Sequence, residues 1–259
     1  MPEPTFAPVG AFCWTSLISK DLAASKAFFA SLLGWEGNDL PGMEGAATMF
    51  RLGGLDVAGG MAHMPEQGPP AFHCYVQVAD ADAAVAKAKD LGGSVLMGPF
   101  PAGGLGRMAF LQDPSGAVFA VWQALSHPGA GVFDVPGAHC WTELLTQDLA
   151  AAEAFYTALF GWTIKHGEGG GMVYDEFALG DKHLGGLYTP NWPGGEQIPS
   201  NWSPYYWVED VDAKAAQAKE LGGSVLNGPM DIPNVGRFAV LQEPGGAVFN
   251  LYQPDAAHR

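Results

Sequence analysis

Basic residues are scarce in this 259-residue chain, which has 12 Lys and Arg against 27 Asp and Glu and a formal net charge of −15. Binding to nucleic acid depends on clustered Lys and Arg side chains that neutralise phosphates. The shortage of basic residues therefore excludes DNA and RNA as expected partners. The acidic excess by itself favours solubility.

Long apolar runs are also missing. No 18 consecutive residues are all apolar, which predicts that no segment of the chain spans a membrane. The opening residues, MPEPTFAPVG, have neither a basic start nor an apolar stretch, so they do not have the pattern of a secretion signal. A cytoplasmic location is therefore expected.

Cysteine is rare, with only Cys13, Cys74 and Cys140. An odd number of cysteines without a CxxC spacing argues against a disulfide framework and against a zinc site. We expect these side chains to be small buried hydrophobes.

An internal repeat dominates what is present. The segment Gly10–Trp35 matches Gly137–Trp162 at 15 of 26 positions. Two further pairs of matching segments follow in the same order, Tyr75–Pro99 with Tyr205–Pro229 and Gly106–Gln123 with Gly236–Gln253. The repeat predicts two domains, residues 1–127 and 128–259, joined by the Gly- and Pro-bearing stretch 126–137.

Each copy shows a strand and helix pattern that occurs twice. In the first copy Asp21 is a plausible N-cap, an apolar stripe follows at helical spacing, and Gly34 ends the helix. The first module reads as strand Ala11–Ile18, this helix, and strands Ala47–Leu52 and Val57–Ala62. The second reads as strand Phe72–Val78, helix Asp82–Leu91, and strands Met108–Leu111 and Ala117–Trp122. A third strand after each helix is left open.

Three segments carry a resemblance to a known family. The stretches DLAASKAFFASLLGW, HCYVQVADADAAVAKAKDLGG and DPSGAVFAVWQ, with their copies in the second half, resemble the vicinal oxygen chelate superfamily of glyoxalase I, bleomycin-resistance proteins and extradiol dioxygenases. The resemblance implies an α+β fold of two tandem glyoxalase-like domains. Four βαβββ modules would form two cup-shaped mixed sheets, as in a fused dimer. Whether modules pair within or across the halves, and whether the chain is a monomer or a homodimer, stays open.

The resemblance also implies a divalent metal in each cup, which can be tested position by position. The family's ligand positions lie seven residues before the Asp that opens each helix, and four after the Gly of the closing turn. An indole cannot bind a metal, and one imidazole cannot build a site of three or four ligands. We therefore expect no metal cofactor. The positions hold Trp14, His73 and Ala120 in the first copy and Trp141, Ser203 and Asn250 in the second.

The two copies differ in their polar residues, with His139 and Glu143 where the first copy has Phe12 and Ser16. Side chains alternate along a strand, which predicts that His139, Trp141 and Glu143 share the face lining the second cup. Glu143 and His139 are the candidate catalytic residues, with Glu143 as a base. The alternative is that Glu143 is a solvated carboxylate at a strand end or a carboxylate at an interface.

A displaced metal site is the rival interpretation of the same residues. His139, Glu143 and His183 could together hold Fe, Ni, Mn or Zn, since imidazole and carboxylate suit such ions. The chain would then be a metal-dependent lyase, isomerase or dioxygenase of the superfamily.

Aromatic residues suggest the kind of ligand. Trp14, Trp141 and Trp122 are predicted to face inward, and Trp192 and Trp202 lie in a Pro- and Gly-rich loop that could fold over the second cup. An aromatic-lined concave surface suits planar or apolar small molecules. The alternative is that Trp14 and Trp141 fill the emptied metal position and complete a core. The predicted ligand-binding residues are Trp14, Trp141, His73, Trp122, Asn250 and Trp202.

The sequence thus predicts a glyoxalase- or bleomycin-resistance-like protein that binds a small apolar or aromatic molecule without a metal, in the second domain. The metal-dependent enzyme is the first alternative. The second is a non-catalytic scaffold whose cups dock another protein.

Overall fold

The computed structural model describes residues 6–64, 68–169 and 172–255. Its first half runs β1 (Phe12–Ser19), α1 (Leu22–Leu33), β2 (Glu36–Asp39), β3 (Ala47–Leu52), β4 (Leu55–Ala62), β5 (Ala71–Gln77), α2 (Ala81–Asp90), β6 (Ser94–Ala102), β7 (Gly106–Gln112) and β8 (Val118–Ala124). Each module is therefore βαβββ. The third strand that the sequence pattern left open is β2 in the first module and β6 in the second, and prolines at positions 99 and 101 interrupt the strand pattern of β6.

The second half repeats this order with one additional pair of short strands after its first helix. It runs β9 (His139–Leu145), α3 (Leu149–Phe160), β10 (Thr163–Lys165), β11 (Glu168–Gly169), β12 (Met172–Val173), β13 (Asp175–Leu179), β14 (Lys182–Tyr188), β15 (Asn201–Trp207), α4 (Val211–Glu220), β16 (Ser224–Ile232), β17 (Gly236–Gln242) and β18 (Val248–Pro254). A short 3-10 helix, Gly195–Gln197, lies in the loop between β14 and β15.

The helices begin and end where the local sequence chemistry predicts. The four α-helices of the described residues each begin after an aspartate whose carboxylate accepts a hydrogen bond from the N–H three residues later: Asp21, Asp80, Asp148 and Asp210. Helices α1 and α3 end at Gly34 and Gly161, whose φ angles of 76° and 74° are left-handed. No helix in the described part of the chain is long and apolar enough to cross a bilayer.

Two eight-stranded mixed sheets organise the described residues, each with strands from one half, and β11 and β12 form a separate two-stranded sheet. The first has the order β2-β3-β4-β1-β5-β8-β7-β6, and the second has the order β10-β13-β14-β9-β15-β18-β17-β16. The modules of one half meet where β1 runs antiparallel to β5 and β9 antiparallel to β15. This confirms the tandem α+β fold and shows that modules pair within each half.

The domain limits are consistent with this topology without being fixed by it. Strands β8 and β9 end and begin at Ala124 and His139, so the predicted boundary after residue 127 falls in the linker and stays a prediction. Residues 1–5 and 256–259 of the two predicted domains lie outside the described residues.

A β-bulge near the start of β9 changes which side chains share a face. Trp141 pairs with Tyr205 of β15, but His139 pairs with the next residue, Tyr206, so Cys140 is the extra residue. An extra residue reverses the alternation of side chains beyond it. Strand β1 has the same irregularity between residues 12 and 14.

Helices cover one face of each sheet, and each domain's first helix lies between its own sheet and the sheet of the other domain. Tyr156 of α3 lies 5.4 Å, centroid to centroid, from Phe119 of β8. Phe29 of α1 lies 5.2 Å from Phe249 of β18. The covered faces therefore form two apolar clusters at the domain junction, and the opposite faces are left open.

Buried carboxylates tie these helices to the closing turns. Asp113 Oδ1 accepts hydrogen bonds from the N–H groups of Ser115 and Ala117, and its Oδ2 accepts from the Tyr156 hydroxyl at 2.9 Å. The Tyr156 oxygen in turn accepts from Trp202 Nε1 at 2.7 Å. One tyrosine hydroxyl thus satisfies polar atoms from both domains.

In the other copy, different side chains donate hydrogen bonds to the buried carboxylate of the closing turn. Glu243 accepts from the N–H groups of Gly245 and Ala247 and from the Ser25 hydroxyl of α1, the last at 2.6 Å. Ser25 Oγ also lies 2.6 Å from Ser19 Oγ. The longer glutamate reaches a serine where the shorter aspartate meets a tyrosine.

Removing the Tyr156 hydroxyl tests how much this junction contributes. We expect Tyr156→Phe to lower the free energy of unfolding by about 1–3 kcal/mol, because Asp113 and Trp202 each lose a buried partner. Urea denaturation measures the change. Tyr252→Phe is the matched control, since that hydroxyl bonds Val235 O near the surface, and we expect a loss within about 0.5 kcal/mol. Equal losses in both variants would contradict the assignment.

Candidate functional site

The second cup is the open face of the second sheet around the centre of β9, which bears Trp141 and Glu143. Glu143 pairs with Gly186 of β14 on one side and with Ser203 of β15 on the other. Trp141 pairs with Tyr205. The predicted inward orientation of Trp141 and Glu143 is therefore consistent with the register.

Glu143 is held by two tyrosine hydroxyls. Tyr174 donates to Oε1 at 2.8 Å, and Tyr205 donates to Oε2 at 2.5 Å. Trp141 Nε1 donates to the Tyr174 oxygen at 3.0 Å, which fixes that hydroxyl. Glu143 is thus an ordered, half-buried carboxylate in the middle of the sheet, and the alternative of a solvated strand-end residue is wrong.

Burial governs the titration of this cluster. It raises the pKa of Glu143 above that of an ordinary glutamate, and hydrogen bonds from Tyr205 and Tyr174 partly oppose the increase. Burial and the nearby carboxylate both raise the pKa values of Tyr174 and Tyr205 well above the usual range for phenols. The two tyrosines therefore stay protonated and donate, while Glu143 is the group that titrates.

A glycine makes room for this arrangement. A Cβ added at Gly186 would overlap the Tyr174 hydroxyl and ring. The hydroxyl therefore lies over the backbone of β14, where any other residue would place its side chain. Gly186 is the residue that lets Tyr174 reach Glu143.

Aromatic rings continue outward from the carboxylate. Tyr174 stacks on Tyr188 with ring centroids 6.3 Å apart, and Tyr188 lies 6.1 Å from Trp192, which is 40% exposed. Tyr205 lies 6.4 Å from Phe238 of β17. The second cup is thus lined with aromatic side chains from Glu143 to the loop after β14.

The first cup, the open face of the first sheet around Trp14 and Ser16, is uncharged at its centre. Ser16 stands opposite His73 and shares a hydrogen bond of 3.0 Å with the Tyr75 hydroxyl. Burial lowers the pKa of His73 to about 4, and its buried Nδ1 has no partner among the described residues. The imidazole packs edge-on to Phe110 at 5.1 Å.

Tryptophans close one end of the first cup. His127 of the linker packs against Trp14 at 4.8 Å and Trp122 at 6.2 Å, and Trp122 Nε1 donates to His127 O. Trp122 is only 6% exposed. Its predicted contact with a ligand stays untested, but its packing role is visible.

The predicted orientation of His139 is wrong. The bulge at Cys140 turns the imidazole to the covered face, where its Nε2 lies 2.8 Å from Thr142 Oγ1 and its ring lies near Phe133. Burial lowers the pKa of His139 to about 4. His139 therefore cannot share the second cup with Glu143.

The predicted placement of Trp202 over the second cup is also wrong. Trp202 belongs to β15 rather than to the preceding loop, and it is 4% exposed in the core against Phe12 and Phe177. The exposed loop tryptophan is Trp192.

The residues do not fit the family's metal, and the displaced site is not formed. The Trp14 and Trp141 indoles occupy two positions, and Asn250 Nδ2 is bonded to Ser203 Oγ at 2.7 Å. His183 pairs with Glu176 rather than Glu143. Within the described ranges, one group of three His, Cys, Asp or Glu side chains has ligand atoms within 4.8 Å of one another, and it lies outside the cups: Glu153, His166 and Asp175.

Two grooves lie at the domain junction, but neither has a buried titratable side chain in its lining. They hold about 280 and 410 Å³ and lie at equivalent positions, between the end of α3 and the start of α2, and between the end of α1 and the start of α4. Their carboxylates, such as Asp80 and Asp210, are exposed. The buried titratable groups point instead to the second cup.

Sequence reasoning missed Tyr174, Tyr188 and Tyr205. Tyr205 carried a usable signal, because it lies two residues after Ser203 on the same strand and therefore on the same face. Tyr174 precedes β13 after a glycine-rich stretch, and no strand period connects it to Glu143.

The buried His139 predicts a pH dependence of stability. A histidine whose folded-state pKa is about 4, below 6.5, destabilises the fold as pH falls from 6.5 toward 4, by up to roughly 3 kcal/mol. We expect His139→Phe, which copies Phe12 of the first repeat, to lose less stability over this range than the wild type. Urea denaturation at several pH values measures it, with pH 7.5 as reference. Parallel curves for the two proteins would contradict the prediction.

Comparison with known proteins agrees with this fold. The family model described as Glyoxalase/Bleomycin resistance protein/Dioxygenase superfamily matches residues 138–251, and one for a glyoxalase-like domain matches residues 14–122. The chain is 41% identical over 261 residues to "Putative glyoxylase CFP32" of Mycobacterium tuberculosis, covering 98% of each chain. It is 37% identical over 264 residues to "Anthracycline biosynthesis protein DnrV" of Streptomyces peucetius, covering 96% of this chain and 94% of the relative.

Solved structures share the fold at low sequence identity. The Mn(II)-bound glyoxalase from Novosphingobium aromaticivorans matches with a TM-score of 0.68 and 18% identity, over 95% of this chain and 82% of that one. The 2,3-dioxygenase LapB from Pseudomonas sp. KL28 matches with a TM-score of 0.65 and 13% identity, over 98% and 97%. The chain belongs to the glyoxalase/bleomycin resistance protein/dioxygenase superfamily.

Proposed function

We propose that this protein binds a small aromatic molecule in the second cup, without the family's metal, and that Glu143 contacts the polar end of that molecule. The observation that carries the proposal is the Glu143 carboxylate, held by Tyr174 and Tyr205 at the centre of an aromatic face. An apolar surface with a few fixed polar groups is typical of small-molecule sites.

The choice of the second cup rests on the difference between the copies. Glu143 has Ser16 as its counterpart, and Ser16 is engaged with Tyr75. The first cup is also closed at one end by the packing of His127 between Trp14 and Trp122. A polar group that a ligand can use is therefore better developed in the second domain.

The proposal includes a chemical role for Glu143. A carboxylate with a raised pKa is a better proton acceptor than an ordinary one. Glu143 is therefore our candidate base if the ligand is also a substrate. The relatives favour small-molecule chemistry in general, since one is named as a glyoxylase and another for anthracycline biosynthesis.

A substitution of Tyr188, at the outer edge of the second cup, tests the aromatic contact with the ligand. We expect Tyr188→Leu to weaken binding of naphthols and hydroxyanthraquinones about 3- to 10-fold, because a ring stacking contact is worth about 0.5–1.5 kcal/mol. Isothermal titration calorimetry measures the affinity. Met61→Leu is the matched control, since Met61 pairs with Ile18 as Tyr188 pairs with Leu145 in the other copy. Failure of every aromatic compound to bind the wild type would refute the proposal.

Metal removal tests the other half of the proposal. We expect dialysis against EDTA to leave the affinity unchanged within twofold, because the family's ligand positions in the second cup hold an indole, a serine and a hydrogen-bonded amide. Addition of Mn²⁺, Fe²⁺, Ni²⁺ or Zn²⁺ should also have no effect. Loss of binding with EDTA and its recovery with one equivalent of ion would show that a metal takes part.

A further inference from the structure

We propose that the ligand of the second cup is cationic, an aromatic molecule that carries a protonated amine beside Glu143. This inference rests on the proposed function and specifies the ligand class. It comes from the charge balance of the cup, where a carboxylate stands among aromatic rings without a positive side chain.

Glu143 has no counterion in the described part of the chain. None of the ion pairs formed there includes Glu143, so no Lys, Arg or His nitrogen lies within 4.0 Å of its oxygens. Its partners are the uncharged phenols of Tyr174 and Tyr205. Buried charges in proteins are usually paired, because an isolated charge loses its hydration. A cation from outside would complete this site.

Around Glu143, the described neighbouring residues are uncharged groups and one paired carboxylate, Glu176, which is bonded to His183. The loop before β13 contributes Tyr174, and β13 contributes Glu176 with its partner His183. Strand β14 contributes Tyr188, and β15 contributes Ser203 and Tyr205. Strand β18 contributes Asn250. Glu176 and Glu143 both act on the pKa of Tyr174 in the upward direction, as negative charges do. A cation is thus the ligand charge that these groups favour.

The aromatic lining supports the same ligand charge. The faces of Trp and Tyr rings carry partial negative charge and attract ammonium groups within about 6 Å of the ring centre, by about 0.5–2 kcal/mol. Trp141, Tyr174 and Tyr188 surround the carboxylate on one side. The two tyrosine hydroxyls occupy two of the roughly four lone-pair positions of the carboxylate, which leaves others for an ammonium N–H.

The first cup provides an internal contrast. Ser16 replaces the carboxylate, and the one imidazole at its centre, His73, is held neutral at pH 7 because burial lowers its pKa to about 4. The repeat has Trp14 and Trp141, and Tyr75 and Tyr205, at matching positions of the two cups, and it has a carboxylate at the position of Glu143 in only one of them.

Three ligands that differ in one group test the inference. We use 2-(2-naphthyl)ethylamine, its uncharged N-acetyl derivative and 3-(2-naphthyl)propionate, with calorimetry at pH 7. We expect the amine to bind at least tenfold more tightly than the amide, and the carboxylate to bind most weakly. We also expect amine binding to strengthen as pH rises through the range in which Glu143 ionises, and protons to be released on binding in that range, because a cation lowers the raised pKa of Glu143.

The variant Glu143→Gln separates charge from shape, since glutamine can still bond both tyrosines. We expect it to weaken amine binding at least tenfold more than it weakens amide binding, whereas Ser16→Ala in the first cup changes neither. The proton release of the wild type is an independent readout if the variant folds poorly.

Other outcomes would overturn the inference. Equal affinities for amine and amide would reject the cationic ligand and leave the proposed aromatic site standing. An amine preference that survives in Glu143→Gln, or displacement of the amine by micromolar Mn²⁺ or Zn²⁺, would also reject it. If none of the three naphthyl compounds nor the phenolic ligands bound, the proposed function itself would fail.

Discussion

The packing of each domain's first helix on the other domain's sheet is the constraint on which the rest of the structure depends. Tyr156 covers Phe119, and Phe29 covers Phe249, so one face of each sheet is committed to the junction. Burial of these rings is the main favourable term in holding the halves together. Because the covered faces meet at the junction, both open faces remain available to ligands. The site at Glu143 is therefore a product of how the two copies were joined as well as of its own residues.

The two copies keep this junction with different chemistry. One buried carboxylate, Asp113, is satisfied by a tyrosine, and its counterpart Glu243 is satisfied by a serine. A buried carboxylate without such donors would cost several kcal/mol, so each change of length needed a matching change on the facing helix. The use of Tyr156 as the partner of Asp113 also explains why position 202 is a buried tryptophan. Its indole is the donor that completes the tyrosine's hydrogen bonds, which is why it is buried in the core.

The sequence contained most of the fold and only part of the site. Asp21 and Gly34 fixed a helix because capping chemistry is local, and strict alternation correctly related Trp141 to Glu143. The same alternation failed for His139, since one extra residue at Cys140 reverses the alternation of side chains beyond it. This bulge cannot be recognised in the hydrophobic pattern of the sequence. Tyr174 was out of reach for another reason. Its contact with Glu143 depends on the path of a glycine-rich loop and on the space above Gly186, which are properties of the folded sheet.

The shared junction has a consequence for the independence of the halves. Each half closes its own sheet, yet the ring that shields that sheet, and the hydroxyl that satisfies its buried carboxylate, belong to the other half. A fragment containing one copy would keep its strand order and expose a core-like surface with Phe28 and Phe29, or with Phe155 and Tyr156, at its centre. Such a surface would be covered only by association with another copy. Duplication within one chain therefore fixes the stoichiometry of the pairing, and it allows one cup to carry a carboxylate that its twin lacks.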